Sequence, residues 1–337
     1  MAEAKNMNQP LKPLVLFGYA ALLLLLIAAP TEYIGVYPVF MMKLLCFALF
    51  ACSFNLLFGY TGMLSFGHAA FLGGSAYITG YTLKAWGITA EVGLLLGTAF
   101  GALLGLVMGY LAIKRQGIYF TMITLALAQM LYFFWLQAPF TGGEDGLQGV
   151  PRGKLLGVLD LSDDMTMYYV CLAIVAIAFL FIIRIVHSPF GHILHAIKEN
   201  EPRATSLGYD TNRFKLLVFV LSAALSGLAG SLKTLVLGFA TLTDVHWAMS
   251  GHAVLMTLVG GMGTMAGPLV GAAVVVAIEN KVGEWGNAIA ALSGIEWFRS
   301  LGESVTIVTG LIFVVCVLLF RRGIMGEVLH LLRGSKN

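Results

Sequence analysis

Charge is scarce in this chain. Of its 337 residues only 11% are charged, 20 Lys and Arg against 17 Asp and Glu, and a net charge of +3 gives no basis for binding nucleic acid. Cysteine is also rare: Cys46, Cys52, Cys171 and Cys316 stand inside apolar runs, with neither metal-ligand spacing nor the pattern of a disulfide framework. They read as small core residues. The acids avoid the centres of the apolar runs, which argues against an ion-coupled secondary transporter, because such carriers bury carboxylates for their proton or sodium ion. Glu279 stands nearest to such a place. A nucleotide site is missing too. "GLAGSLKT", Gly227 to Thr234, has Leu232 where a phosphate-binding loop needs glycine before its Lys-Ser/Thr pair. Lys233 in that stretch is expected to reach for the outer membrane interface. No Ser-His-Asp arrangement supports catalysis.

What the chain has in abundance is apolar sequence. Hydrophobic residues make up 59% of it, and the mean hydropathy is +0.88. Backbone polar groups in hydrocarbon must be satisfied within the segment, and a helical span takes about 20 residues. The runs are continuous rather than alternating, so a β-barrel is set aside. The expected fold is all-α: a polytopic transmembrane helical bundle, one membrane-embedded domain over 1–337. Eight clear spans are expected at 14–30, 36–58, 64–83, 91–113, 117–138, 166–186, 214–237 and 301–320. The first resembles a signal peptide but reads better as an uncleaved helix. A further apolar stretch, 251–281, is broken by "GGMGTMAGP" into halves each expected to be too short to cross, so it is either two short passes or a re-entrant pair.

Basic residues orient the spans. Lys5, Lys12, Lys114, Arg115, the stretch Arg184–Lys215, and Arg321, Arg322, Arg333 and Lys336 fall on one side, taken as cytoplasmic together with both termini. The connection 139–165, with Glu144, Asp145, Asp160, Asp163 and Asp164 against Arg152 and Lys154, suits the outer face. The scheme closes when 251–281 enters and leaves on that outer side. Gly93, Gly97, Gly101, Gly105 and Gly109 recur every fourth residue, the spacing of a close helix crossing.

One segment, 187–215, is polar. Ser188-Pro189 reads as an N-cap and first helical residue, Asn200 to Pro202 as a break, and Gly208 as the C-cap of a second short helix. A connection capped this carefully reads as an interface. Its candidate contact residues are Gly191, His195, Lys198, Glu199, Glu201, Arg203 and Gly208. In the apolar part, Ser65, His68, His252, Thr257 and Thr264 are the candidates for a translocation path. For His68 the competing reading is an interhelical hydrogen bond.

Several ordered blocks between Phe54 and Lys281, among them "FNLLFGYTGMLSFGHAAFLGGSAYITGY", "TGGEDGLQGVP", "GHILHAIKENEPRATSLGYDTNRFK" and "HWAMSGHAVLMTLVGGMGTMAGPLVGA", resemble the LivM-type permease subunit of branched-chain amino acid ABC importers. The resemblance implies a bacterial inner-membrane complex with a LivH-type permease, two cytoplasmic ATPase subunits that bind the ATP, and a periplasmic binding protein. It implies no cofactor on this chain, membrane lipid around it, and Gly191 to Gly208 as the coupling helices. Permeases for urea, short-chain amides or another amino acid share much of the pattern. His252 departs from it, standing where the family more often has an acid.

Overall fold

The computed structural model describes Leu26, residues 37–155, 157, 159–293, 310–311, 314 and 323–327. The expected spans 14–30 and 301–320 fall almost wholly outside the described residues. Six long helices occupy the places of the other six: α1 (Pro38–Thr61), α2 (His68–Trp86), α3 (Ala90–Ala112), α4 (Ile118–Gln137), α5 (Asp164–Val186) and, after the polar segment, α7 (Thr211–Leu237). The polar segment is α6 (Pro189–Ser206); beyond α7 come the four-residue α8 (Leu242–Val245), α9 (Trp247–Gly260) and α10 (Gly267–Ser293). Two-residue strands β1 (Leu147–Gln148), β2 (Lys154–Leu155), β3 (Leu159–Asp160) and β4 (Phe239–Ala240) pair as β1–β4 and β2–β3, both antiparallel.

The count of eight spans is not reached. Among the described residues five helices are long and apolar enough to cross a membrane: α1, α3, α4, α5 and α7. Helix α2 falls short because glycine, serine and threonine dilute its apolar content, and its burial shows why that is tolerated. Nearly every residue from His68 to Gly80 is buried, so α2 faces protein on all sides. Helices α4 and α5 are its opposites, with Met122, Met130, Phe133, Ile177 and Leu180 exposed on outward faces, the pattern expected of a lipid boundary.

Helix α7 runs through the middle, packed along α3, α2 and α1. Between apolar helices in lipid no hydrophobic force drives association, so close van der Waals fit must do it, and small residues permit that fit. The glycine stripe of α3 serves this end. A Cβ on Gly97 would lie 2.1 Å from Ser231 Oγ, and one on Gly101 2.9 Å from the Ala223 carbonyl oxygen of α7. On α7 itself, Gly230 sits so tightly on α2 that a Cβ would come within 1.9 Å of the Leu72 carbonyl oxygen.

The break in 251–281 falls at 261–266, between α9 and α10. Only the first half is short, at 14 residues; α10 runs for 27, because the helix continues through Glu279, Asn280 and Lys281 instead of ending with the apolar run. Gly260, Gly267 and Gly271 weld the two: a Cβ on Gly271 would fall 1.8 Å from the Met256 carbonyl oxygen.

Opposite the polar segment, the connection 139–165 is stitched onto the end of α7. Leu147 pairs with Ala240, Val150 N donates to the Gly238 carbonyl at 2.8 Å, and the Arg152 guanidinium reaches both the Val236 carbonyl (2.9 Å) and Asp164 (2.5 Å). Asp163 caps α5, accepting from Thr166 N at 2.9 Å and Thr166 Oγ1 at 2.8 Å; these bonds to the ionised carboxyl hold its pKa below the ordinary carboxylate value.

Candidate functional site: elbow and broken hairpin

The polar segment is a bent pair of helices. Asn200 leaves the helical region (φ −160°, ψ 91°), and its side-chain oxygen accepts from Arg203 N at 3.0 Å, capping a second short helix in which Pro202 takes an early position. Gly208 closes it with φ +90° and its N–H bonded to the Thr205 carbonyl at 2.9 Å. Ser188 is the N-cap residue of α6 and Pro189 opens the helix as expected, but the Ser188 hydroxyl makes no capping bond; it turns back and donates to Ile185 O at 2.6 Å.

Three ties fasten this elbow to the bundle. Gly191 is pressed against the end of α5, where a Cβ would lie 2.1 Å from the Val186 carbonyl oxygen. Lys198 donates to the Gly59 carbonyl at the end of α1, at 2.7 Å. Glu201 pairs with Lys215 of α7, whose side chain is almost wholly buried. Leu194, Ile197 and Ala204 are buried beneath the elbow, while Glu199, Arg203 and Gly208 are exposed. His195 lies 3.5 Å from Glu199, one helical turn on. The exposed tip carries two large apolar side chains, Leu207 and Tyr209, among polar neighbours.

The second feature is the turn of the broken hairpin, which lies at the elbow end of the bundle. Asn55, an amide inside the apolar α1, clasps it: its nitrogen donates to Thr264 O at 3.0 Å and its oxygen accepts from Gly263 N at 2.9 Å. Thr264 secures the turn from within, donating to Gly261 O (2.7 Å) and accepting from Gly267 N (3.0 Å). Gly59, which receives Lys198, is one turn from Asn55, and a Cβ there would lie 2.8 Å from Gly263 N. Elbow, α1 and hairpin turn therefore meet at one place.

The candidate path residues are spread over this frame. Ser65, His68 and Thr257 are fully buried, Thr264 is taken up by the turn, and His252 is half exposed. His68 Nε2 lies 2.8 Å from Ser222 Oγ; Ser222 donates its one proton to Ser53 O at 2.5 Å, so it accepts from His68. Ser226 and Ser53 continue the chain at 2.7 Å, and Phe54, Phe71 and Phe219 enclose the imidazole edge-on. This geometry joins α2, α7 and α1. Ser65 Oγ accepts from Gly67 N at 3.1 Å, and Thr257 Oγ1 donates to Ala253 O at 2.8 Å. His252 Nδ1 lies 3.0 Å from Glu279 Oε1 of α10.

Lys233 corrects an expectation. Instead of reaching outward it is buried, paired with Asp244 of α8 and 5.6 Å from the Phe47 ring centroid. The reason is that 240–245 folds inward: Ala240, Leu242, Asp244 and Val245 are buried, with Val245 against Gly73 of α2. Asp244 also closes a capping box with Thr241. Sequence reading passed over Asp244 because it stands outside every apolar run; Asn55, a lone amide within one, carried a signal that went unused.

A model of the family described as branched-chain amino acid transport system, permease component, matches residues 39–320. The chain is 26% identical over 245 residues to the high-affinity branched-chain amino acid transport system permease protein LivM of Salmonella typhimurium, covering 66% of this chain and 58% of that protein. Over 270 residues it is 26% identical to the probable branched-chain amino acid transport permease protein LivM of Methanocaldococcus jannaschii, covering 68% and 77%. The ribose import permease protein RbsC of Haemophilus influenzae is 25% identical over 205 residues, covering 58% and 60%. The chain therefore spans less than two thirds of the length of the Salmonella relative, at 58%. No solved structure matches.

Proposed function

Because this chain belongs to the permease family of branched-chain amino acid transport systems, we propose that it is the membrane permease subunit of an ATP-driven importer. With a LivH-type permease it forms the path for leucine, isoleucine and valine, delivered by a periplasmic binding protein. Two cytoplasmic ATPase subunits bind and hydrolyse the ATP. The complex sits in a bacterial inner membrane, and this chain works there as a single membrane-embedded unit. In this reading 14–30 and 301–320 complete eight crossings, both termini are cytoplasmic, and the hairpin enters and leaves on the outer side with its turn at the inner, elbow end.

The observation that carries the reading is the three-way fastening of the elbow, through Gly191 to α5, Lys198 to α1 and Glu201 to α7. A loop that only connects two spans has no need of it; a handle does. Exposed Leu207 and Tyr209 supply the apolar anchors that interfaces favour, on a segment that also exposes Glu199, Arg203 and Asp210. Closure of the ATPases pushes this tip. The push passes to α7 through Glu201–Lys215, and to the hairpin turn through Lys198, Gly59 and Asn55. The solute is held weakly on its way, since tight binding would slow release.

Reconstitution tests it. Proteoliposomes holding this chain with its partner permease, the two ATPases and loaded binding protein are expected to accumulate radiolabelled leucine only when ATP is supplied. Accumulation by the purified subunit alone on an ion gradient would refute the reading. Labelled ribose belongs in the same assay, because a ribose permease is among the relatives.

A further inference from the structure

His252 of α9 and Glu279 of α10, an imidazole and a carboxyl, face each other across the hairpin at 3.0 Å. Their depth follows from helix geometry. Counting about 1.5 Å per residue from the turn, His252 lies about 14 Å and Glu279 about 18 Å from the elbow end. Both are near the middle of an apolar core about 30 Å thick. The pair is not sealed in, since the side chains keep 38% and 20% of their surface. Ionisable groups at this depth face a water-lined cavity or another protein chain, not lipid. Glu279 Oε1, although close to His252, receives no hydrogen bond from any described residue. Oε1 is buried against His252 while the Glu279 side chain as a whole keeps a fifth of its surface; an acid and an imidazole side by side match the two ends of a zwitterion.

We propose that His252 and Glu279 are a substrate contact of this subunit: the α-ammonium of the passing amino acid takes Glu279, and its α-carboxylate takes His252. With no substrate present, the two side chains face each other and spare the site an uncompensated charge. Exchanging one contact for two of similar strength gives weak, reversible binding. A neutral sugar offers no charge to either group, so the contact selects amino acids over polyols. This rests on the branched-chain reading above and deepens it.

The test uses the whole complex in proteoliposomes. If the wild type accumulates ribose and not leucine, the branched-chain reading has failed, whatever the variants do. Given leucine uptake by the wild type, Glu279→Gln is expected to lower it about tenfold or more, while ATP hydrolysis stimulated by loaded binding protein stays within about twofold. His252→Gln is expected to act in the same direction, and Glu279→Asp to retain most uptake. Leucine uptake within about twofold of wild type in Glu279→Gln would overturn the proposal. A second measurement does not depend on uptake. On a Cys316→Ser background, Glu279→Cys is expected to react with a water-soluble, cationic methanethiosulfonate, and leucine but not ribose is expected to slow that reaction. No reaction, or reaction indifferent to leucine, also overturns it.

Discussion

Helix α7 carries a buried lysine near each end, about 27 Å apart along its axis, and the two ends treat the same problem differently. Lys215 pairs with Glu201 of the elbow, and Lys233 pairs with Asp244 of the inward-folded α8. The acids differ in exposure: Glu201 keeps 21% of its side chain open, Asp244 only 2%. Asp244 is further held by its capping box with Thr241, and Lys233 by the face of Phe47. One end is a joint that water can enter. The other is a dry anchor. If the proposed push on the elbow tilts α7, the helix needs both, a place to be pushed and a place to be held.

The largest effect should come from the anchor. Removing one partner of a buried pair strands the other charge, at about 3–5 kcal/mol. Asp244→Ala is therefore expected to lower the unfolding midpoint in detergent sharply or to prevent recovery of folded protein. The neutral pair Lys233→Met with Asp244→Leu should restore most of that stability. Glu201→Ala, at the half-open joint, is expected to destabilise by less, about 1–3 kcal/mol, and to show itself in function: ATP hydrolysis continues while uptake falls. Equal stability losses at the two ends would erase the distinction between joint and anchor.

The elbow was the more legible of the two ends. Its caps are short-range signals, so Pro189, Asn200 and Gly208 announce two helices and their bend without knowledge of the fold. The positions of six long helices were legible for a similar reason, since hydropathy integrates over a whole helix. What could not be read was pairing at a distance. Lys233 and Asp244 are 11 residues apart, but they meet only because 240–245 turns inward onto Gly73, and nothing local dictates that turn. Likewise Asn55 is bound to Gly263 across 208 residues, and Glu279 meets His252 from a helix that outlasts its apolar run. Helix α2 stands at the expected span 64–83, yet it is not among the five described helices long and apolar enough to cross, because the small residues that let it lie at the centre lower its hydropathy.

Backbone strain at the joint gives a smaller effect than loss of its ion pair. Gly208 has φ +90° with open space where a Cβ would stand, so Gly208→Val meets no neighbour and suffers only the conformational penalty, about 1–2 kcal/mol. Because the tip is exposed, that penalty distorts the elbow's outer surface rather than the bundle. The variant should insert and hydrolyse ATP normally in the complex while uptake falls. By contrast Gly191→Ala, with a Cβ 2.1 Å from the Val186 carbonyl oxygen, should disturb the seat of the elbow on α5.

The smallest effect belongs to the wet surface around the dry anchor. Asp163 caps α5 at that end with its carboxylate on Thr166, fully exposed to solvent, and its pKa is lowered by those hydrogen bonds. A group whose folded pKa is depressed stabilises the fold above its unfolded value and loses that contribution as pH falls through the folded one. Acidification below about pH 4 should therefore fray the first turn of α5 before anything else in the bundle, seen as faster amide exchange at Met165 to Met167 after correction for the intrinsic pH dependence. Asp163→Asn keeps a capping oxygen but no titration, so its first turn should exchange at one corrected rate across the same range. The Lys233–Asp244 anchor, out of reach of water, should show no such early opening. Loss of protection around Asp244 at the same pH as at Asp163 would mean that the anchor is not dry.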